Sequence, residues 1–147
     1  MFEEFNAVWK KYIQRTAHVV IAVSGGRDSM ALLDLILRTR LPHAHLHIVH
    51  FNHQLRAASP AEARLVTQFA RHHKVGIDIV KLAVTDYCRK HKLNLEAGAR
   101  TLRYFHLEKF RQRYHASFIL TAHHADDQLE TRLLNLVRGA FLEGWQG

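Results

Sequence analysis

Short apolar runs alternate with longer segments of helical periodicity along the whole chain, and this alternation constrains the fold more than any other feature. The runs are His18 to Val23, His45 to Phe51, Gly76 to Val80 and Phe118 to Ala122. Each has strand length and is rich in Val, Ile, Phe or Leu, as strands buried on both faces are. Between them the apolar spacing of three and four predicts helices. Phe2 to Thr16 carries Phe5, Val8, Trp9, Tyr12 and Ile13 on one stripe, and Met30 to Thr39 follows the first strand. Pro60 to His73 opens with Pro and Glu62, which suit a first turn, and Val84 to Lys92 is a short helix. Asn94 can cap Leu95 to Tyr114, whose apolar face reads Leu95, Ala99, Leu102, Phe105, Leu107 and Phe110, and Asp127 to Val137 forms the last helix. Strands that return in parallel need crossover helices, and right-handed crossovers cover both faces of the sheet. The predicted fold is a doubly wound α/β domain with a parallel sheet.

Nothing divides the chain. It has 147 residues, 48% of them hydrophobic, which suits one domain with a core. Its two prolines, Pro42 and Pro60, fall between periodic segments. No apolar run is long enough to span a membrane, and the start, MFEEFNAVWKKY, has acids where a secretory signal needs a basic stretch. The expectation is a cytoplasmic protein with no membrane partner. Cys88 is the single cysteine, so the chain can form neither an internal disulfide nor a CxxC pair, and Cys88 reads as a small buried residue. A formal charge of +8 favours polyanionic partners without identifying one. Oligomeric state is open, a homodimer included.

The chemistry points first to Ser24-Gly25-Gly26-Arg27-Asp28-Ser29, between the first strand and a helix. Backbone N–H groups and a helix N-terminus converge there, which makes an anion site. Adjacent glycines let a phosphate oxygen approach the backbone, and the hydroxyls of Ser24 and Ser29 can add donors. Asp28 would repel a bare phosphate, so it either reaches the phosphates through magnesium or caps the helix. The loop lacks the GK[ST] ending of a Walker A sequence and the GxGxxG spacing of dinucleotide sites, which favours a mononucleotide.

Two further polar clusters follow strands. His50-Phe51-Asn52-His53-Gln54-Leu55-Arg56 ends the second, and Thr121-Ala122-His123-His124-Ala125-Asp126-Asp127-Gln128 ends the fourth. Ligands of open α/β sheets bind beyond the carboxyl ends of strands, so three loops can share one crevice. Asp127 and Glu130, three apart on a helix, point to one side and could hold a metal or an amine, although Asp is also ordinary in a first turn. The thirteen histidines include His43, His45 and His47, which would line one face if that segment were all strand. No HExxH is present, and packing is the simpler role for them.

The SGGxDS signature at Ser24 to Ser29 resembles that of the PP-loop ATP pyrophosphatases. VSGGRDSMALL, HFNHQLR, LEAGARTLRY and LTAHHADDQLETRLLNLVRGA, in that order, narrow the resemblance to bacterial tRNA(Ile)-lysidine synthetases over residues 18 to 144. The resemblance implies an ATP-dependent ligase that adenylates the wobble cytidine of tRNA(Ile) with a CAU anticodon. The amine of free lysine then displaces AMP, and decoding changes from AUG to AUA. It implies that Ser24, Gly25, Gly26, Arg27, Asp28 and Ser29 grip ATP, with Asp28 on Mg. Arg100, in the position of the ARxxRY arginine, would serve the activated intermediate, and Asp127 and Glu130 would be catalytic or lysine-binding. Further candidate contacts to nucleotide or substrate are His50, Asn52, His53 and Arg56 after the second strand and Arg103 on the long helix. His123, His124 and Asp126 after the fourth strand complete them, with Arg138 and Gly139 near the end of the chain. Gln54 stands where the family usually has glycine, and Phe141 where a further glycine is common. Family members continue into a linker and domains that grip tRNA, so residues 1–147 would be their N-terminal catalytic domain. Two other readings compete. One is sulfur transfer to tRNA through the same adenylation, which a lone Cys88 disfavours; the other is a non-catalytic adenine-nucleotide module, which has no use for Asp127 and Glu130.

Overall fold

The computed structural model describes residues 2–39, 41–52 and 59–122. It contains helix α1 (Phe2–Tyr12), strand β1 (Val19–Ala22), α2 (Arg27–Leu37), β2 (Leu46–Asn52) and α3 (Ser59–His72). Strand β3 (Gly76–Lys81), α4 (Val84–His91), α5 (Leu95–Arg113) and β4 (Phe118–Thr121) follow. The strands form one sheet in the order β3-β2-β1-β4, with every pairing parallel. Val19 lies opposite Leu46 and Phe118, and Ala22 opposite Val49 and Thr121.

The period of two along β1 sends alternate side chains to opposite faces. Val19 and Ile21 join Trp9 of α1, Leu33 and Ile36 of α2 and Val66 of α3 in one core cluster. Val20 joins Val49, Cys88 of α4, and Leu107 and Phe110 of α5 in the other. Helices therefore cover both faces, as the alternation of elements predicts. Asn94 caps α5, its side-chain oxygen accepting from the Ala97 N–H at 2.7 Å. Cys88 is buried and donates to the Asn94 carbonyl at 3.2 Å, and a Cβ at Gly98 would collide with its Sγ. The thiol is a packing element between α4 and α5.

Some boundaries and faces differ from those expected. α2 begins at Arg27, three residues before the apolar period becomes visible at Met30, because its first turn is polar. α1 ends at Tyr12, and its buried residues are Phe5 and Trp9, with buried Ile13 just past its end; Val8 and Tyr12 lie on the solvent shoulder. On α5, Leu95 opens the helix and Phe105 stands two residues from buried Leu107, on the other side of the cylinder, so both are exposed. His43 and His45 belong to a 3-10 turn that precedes β2, so they do not line a face with His47. The ring of His43 instead meets the carbonyl of His73 at 3.0 Å, and that of His45 the carbonyl of Arg15 at 3.3 Å. Among the described residues no group of three or more His, Cys, Asp or Glu is arranged to hold a metal ion. No helix among them is long and apolar enough to cross a membrane.

Candidate functional site

The chain steps from β1 through β2 to β3 in one direction, and β4 pairs with the opposite side of β1. The order reverses between β1 and β4, and a crevice opens beyond the carboxyl ends of strands at such a reversal. A pocket lies there, lined by Ala22, Val23 and Ser24 from β1 and the residues after it, Ser29 from the first turn of α2, Thr121 and Ala122 from the end of β4 and just beyond it, Phe51 from β2, and Arg103 from α5.

The loop is held in one shape by its own residues. Ser29, buried in the first turn of α2, donates its hydroxyl to the Gly26 carbonyl at 2.9 Å. That uses its single proton, so Ser24 donates across the 3.0 Å between the two hydroxyl oxygens. The Ser29 oxygen also accepts from the Ser24 N–H, and the Ser24 oxygen from the Gly26 N–H, each at 3.2 Å. Ser29 thus acts as an internal staple.

Gly25 has φ +87°, and a Cβ there would come within 2.9 Å of the Glu62 Cβ on α3. Its glycine is required by this backbone conformation and by the approach of a helix. Gly26 is the N-cap of α2 and has no side chain with which to bond the first-turn N–H groups. This is the arrangement that takes an anion. Asp28 stands in the first turn rather than at the cap, and both it and Arg27 are exposed.

The two candidate arginines part company. Arg103 reaches the pocket beside Ser24 and Ser29. Burial pulls its pKa below the ordinary guanidinium value, with neighbouring Arg100 adding to the shift and Tyr104 opposing it. A guanidinium stays charged at neutral pH all the same, so the pocket carries positive potential. Arg100 is exposed, with its guanidinium carbon 5.5 Å from the centroid of the Tyr104 ring.

His50 lies beneath the loop and is only 1% exposed. Its Nδ1 donates to the Val23 carbonyl at 2.8 Å, and its Nε2 is buried with no hydrogen-bond partner among the described residues. Phe51, its neighbour in β2, is the residue that lines the pocket. The pleat explains the exchange: Phe51 shares a face with Val49 and α5, and His50 the opposite one. Thr121 and Phe51 were not among the predicted contacts; strand alternation alone could have found Phe51. Asn52 ends β2 half-buried, and its carbonyl accepts from the Leu82 N–H at 3.0 Å. His53, Arg56, His123, His124, Asp126, Asp127, Glu130, Arg138 and Gly139 lie outside the described residues.

Comparison with known proteins agrees with this geometry. A tRNA(Ile)-lysidine synthase of Shouchella clausii is 39% identical over 124 residues, which cover 83% of this chain and 26% of that protein. A bifunctional protein TilS/HprT of Listeria monocytogenes is 37% identical over 130 residues, covering 88% of this chain and 20% of the relative. The tRNA(Ile)-lysidine synthase of Bacillus subtilis is 33% identical over 132 residues, covering 89% and 28%. The chain thus spans well under a third of the length of these relatives. Among solved structures, the U34-tRNA thiolase NcsA of Methanococcus maripaludis has a TM-score of 0.66 at 17% identity, covering 82% of this chain and 45% of that one. The NH3-dependent NAD synthetase of Campylobacter jejuni has a TM-score of 0.61 at 17% identity, covering 82% and 51%, and both likenesses concern the fold alone. The PP-loop domain family matches residues 1–147, and with the loop, the sheet order and the pocket in agreement, the chain belongs to that family.

Proposed function

We propose that this chain is the catalytic domain of an ATP-dependent tRNA(Ile)-lysidine synthetase. The observation that carries the reading is the convergence of the α2 N-terminus, the serine-stapled loop and the cationic Arg103 on one pocket at the switch point of the sheet. Such a pocket suits a polyphosphate. The named relatives supply the substrate class, a tRNA.

In the proposed reaction, a carbonyl oxygen of the wobble cytidine of tRNA(Ile) attacks the α-phosphorus of ATP, and the bond to pyrophosphate breaks. The amine of free lysine then attacks the activated carbon, AMP leaves, and the amine gives up its proton. The first step needs charge neutralised on the phosphates and on the leaving pyrophosphate, and needs no protein nucleophile. Ser24 to Ser29 hold the phosphates, and Arg103 offsets the charge of the leaving group. Asp28, an exposed carboxylate at the loop mouth, would hold Mg, which supplies Lewis-acid polarisation of the phosphates when bound. Arg100, one turn from Arg103 and exposed, stands ready for the activated intermediate. Asp127 and Glu130 take the catalytic or lysine-binding roles by family resemblance.

Sulfur transfer by the same adenylation fits less well. The single cysteine, Cys88, is packed between α4 and α5 and is not among the residues that line the pocket. The deciding experiment incubates the full-length protein with ATP, Mg, lysine and unmodified tRNA(Ile). AMP formed only when lysine and the tRNA are both present supports the proposal. ATP turnover indifferent to lysine refutes it.

A further inference from the structure

We propose that His50 is a positioning residue of the nucleotide loop, one that pins the peptide plane between Val23 and Ser24 from below. The proposal rests on reading Ser24 to Ser29 as the phosphate-binding loop. The parallel ladder between β1 and β2 runs one residue past Ala22, where the Val23 N–H donates to the Val49 carbonyl at 3.0 Å. The chain then turns away. At that point the ring of His50 supplies the donor, Nδ1 to the Val23 carbonyl at 2.8 Å. A carbonyl oxygen can only accept, so a ring proton is fixed on Nδ1.

The Val23 carbonyl and the Ser24 N–H belong to one rigid peptide unit. His50 holds its oxygen end, and the Ser29 hydroxyl oxygen accepts from its nitrogen end at 3.2 Å. A plane held at both ends cannot rotate, and its orientation sets the direction in which Ser24 presents its side chain. That side chain in turn accepts from the Gly26 N–H at 3.2 Å. The chain of contacts runs from His50 through Val23 and Ser24 to Gly26, the N-cap of α2.

Packing alone does not account for a histidine here. The ring is 1% exposed, and its Nε2 has no hydrogen-bond partner among the described residues. A leucine or phenylalanine would fill the space without burying an unpaired nitrogen. Sites where a local rule is broken in this way are characteristically functional. What the histidine provides and an apolar side chain lacks is the bond to Val23.

Three variants of the full-length protein separate positioning from packing. In His50→Leu the donor is removed. In His50→Asn an amide nitrogen sits near the place of Nδ1, and in His50→Gln it sits near the place of Nε2. Amide hydrogen exchange at Ser24, Gly25 and Gly26 is measured without nucleotide, Mg-ATP affinity by calorimetry, and global stability by thermal melting. The expected result is faster loop exchange and about tenfold weaker Mg-ATP binding in His50→Leu and His50→Gln, with His50→Asn within about threefold of the parent. Parent-like exchange and affinity in His50→Leu overturn the proposal, and so does a His50→Asn loop as loose as that of His50→Gln. If His50→Leu fails to fold, the Asn and Gln pair decides alone. Should the parent itself bind no Mg-ATP, the phosphate-loop reading fails while the exchange comparison still judges His50.

Discussion

The hydroxyl oxygens of Ser24 and Ser29 stand 3.0 Å apart and join the end of a strand to the first turn of a helix. This link preorganises the loop before any ligand arrives, so the entropy of ordering Gly25 and Gly26 is borne by folding and not by binding. Strand β1, buried on both faces, supplies the fixed end of the link, and Ser29, itself buried, supplies the other.

Ser29→Ala removes the acceptor of the Ser24 N–H and the donor to the Gly26 carbonyl together. Stability is expected to fall by about 1–3 kcal/mol, and Mg-ATP affinity by about tenfold or more. Calorimetric titration and thermal melting check the two effects. Undiminished affinity would mean that the staple does not shape the binding loop.

Gly25→Ala meets two penalties, a left-handed backbone at φ +87° and a Cβ within 2.9 Å of the Glu62 Cβ. Together they should cost about 2–4 kcal/mol. Glu62→Gly removes the obstructing Cβ and leaves the Glu62 Cα at 3.3 Å, so in the double variant the contact part of the cost should shrink while the backbone part stays. A double-mutant cycle on urea unfolding gives the coupling, and zero coupling would rule out the contact between α3 and the loop as a cause.

Much of this was legible in the sequence because period and punctuation act locally. The four strands, the Asn94 cap and the packing role of Cys88 follow from apolar runs and from side chains that bond within a few residues. The pocket was legible as a place, since SGGRDS ends one inner strand and Thr121-Ala122 its neighbour. What was hidden is phase. Whether Arg100 or Arg103 enters the pocket depends on how α5 is rotated on the sheet, and polar residues of a motif do not reveal that. His50 looked like a ligand contact by its neighbours in HFNH, yet the pleat turns it under the loop and offers Phe51 instead. The start of α2 was hidden because Arg27-Asp28-Ser29 has no apolar period.

The phase of α5 makes its own prediction. Arg103→Ala should weaken Mg-ATP binding by about tenfold or more, because it removes a positive charge from the pocket beside Ser24 and Ser29. Arg100→Ala should lower turnover with tRNA while nucleotide affinity changes by about twofold at most, since the exposed guanidinium lies against Tyr104. Nucleotide titration of both variants tests this directly. Equal losses of ATP affinity would contradict the division of labour.

At the opposite end of β2, Asp78 Oδ2 lies 2.8 Å from both His47 Nε2 and the Tyr114 hydroxyl, and the His47 and Tyr114 rings stack with centroids 3.7 Å apart. The geometry is that of an ion pair, but burial outweighs the carboxylate and holds the His47 pKa below its ordinary 6.5. At neutral pH the imidazole is therefore an uncharged Nε2–H donor. Burial, aided by the bond to Asp78, raises the Tyr114 pKa above its ordinary 10.0. The signs follow from linkage. Below pH 6.5 the unfolded chain takes up a proton on His47 before the folded chain does, so stability falls from there down to the folded pKa. Above pH 10.0 the unfolded chain loses the Tyr114 proton first, so stability falls again as the pH rises to the folded pKa. Each flank has a slope of at most about 1.4 kcal/mol per pH unit from these single groups. Urea unfolding from pH 5 to pH 11 should show a plateau between the two limbs, and His47→Gln should make the acid limb shallower, leaving the shares of His73 and His106, whose pKa values burial also lowers, and the alkaline limb in place. An acid limb of unchanged steepness in His47→Gln would assign it to other groups.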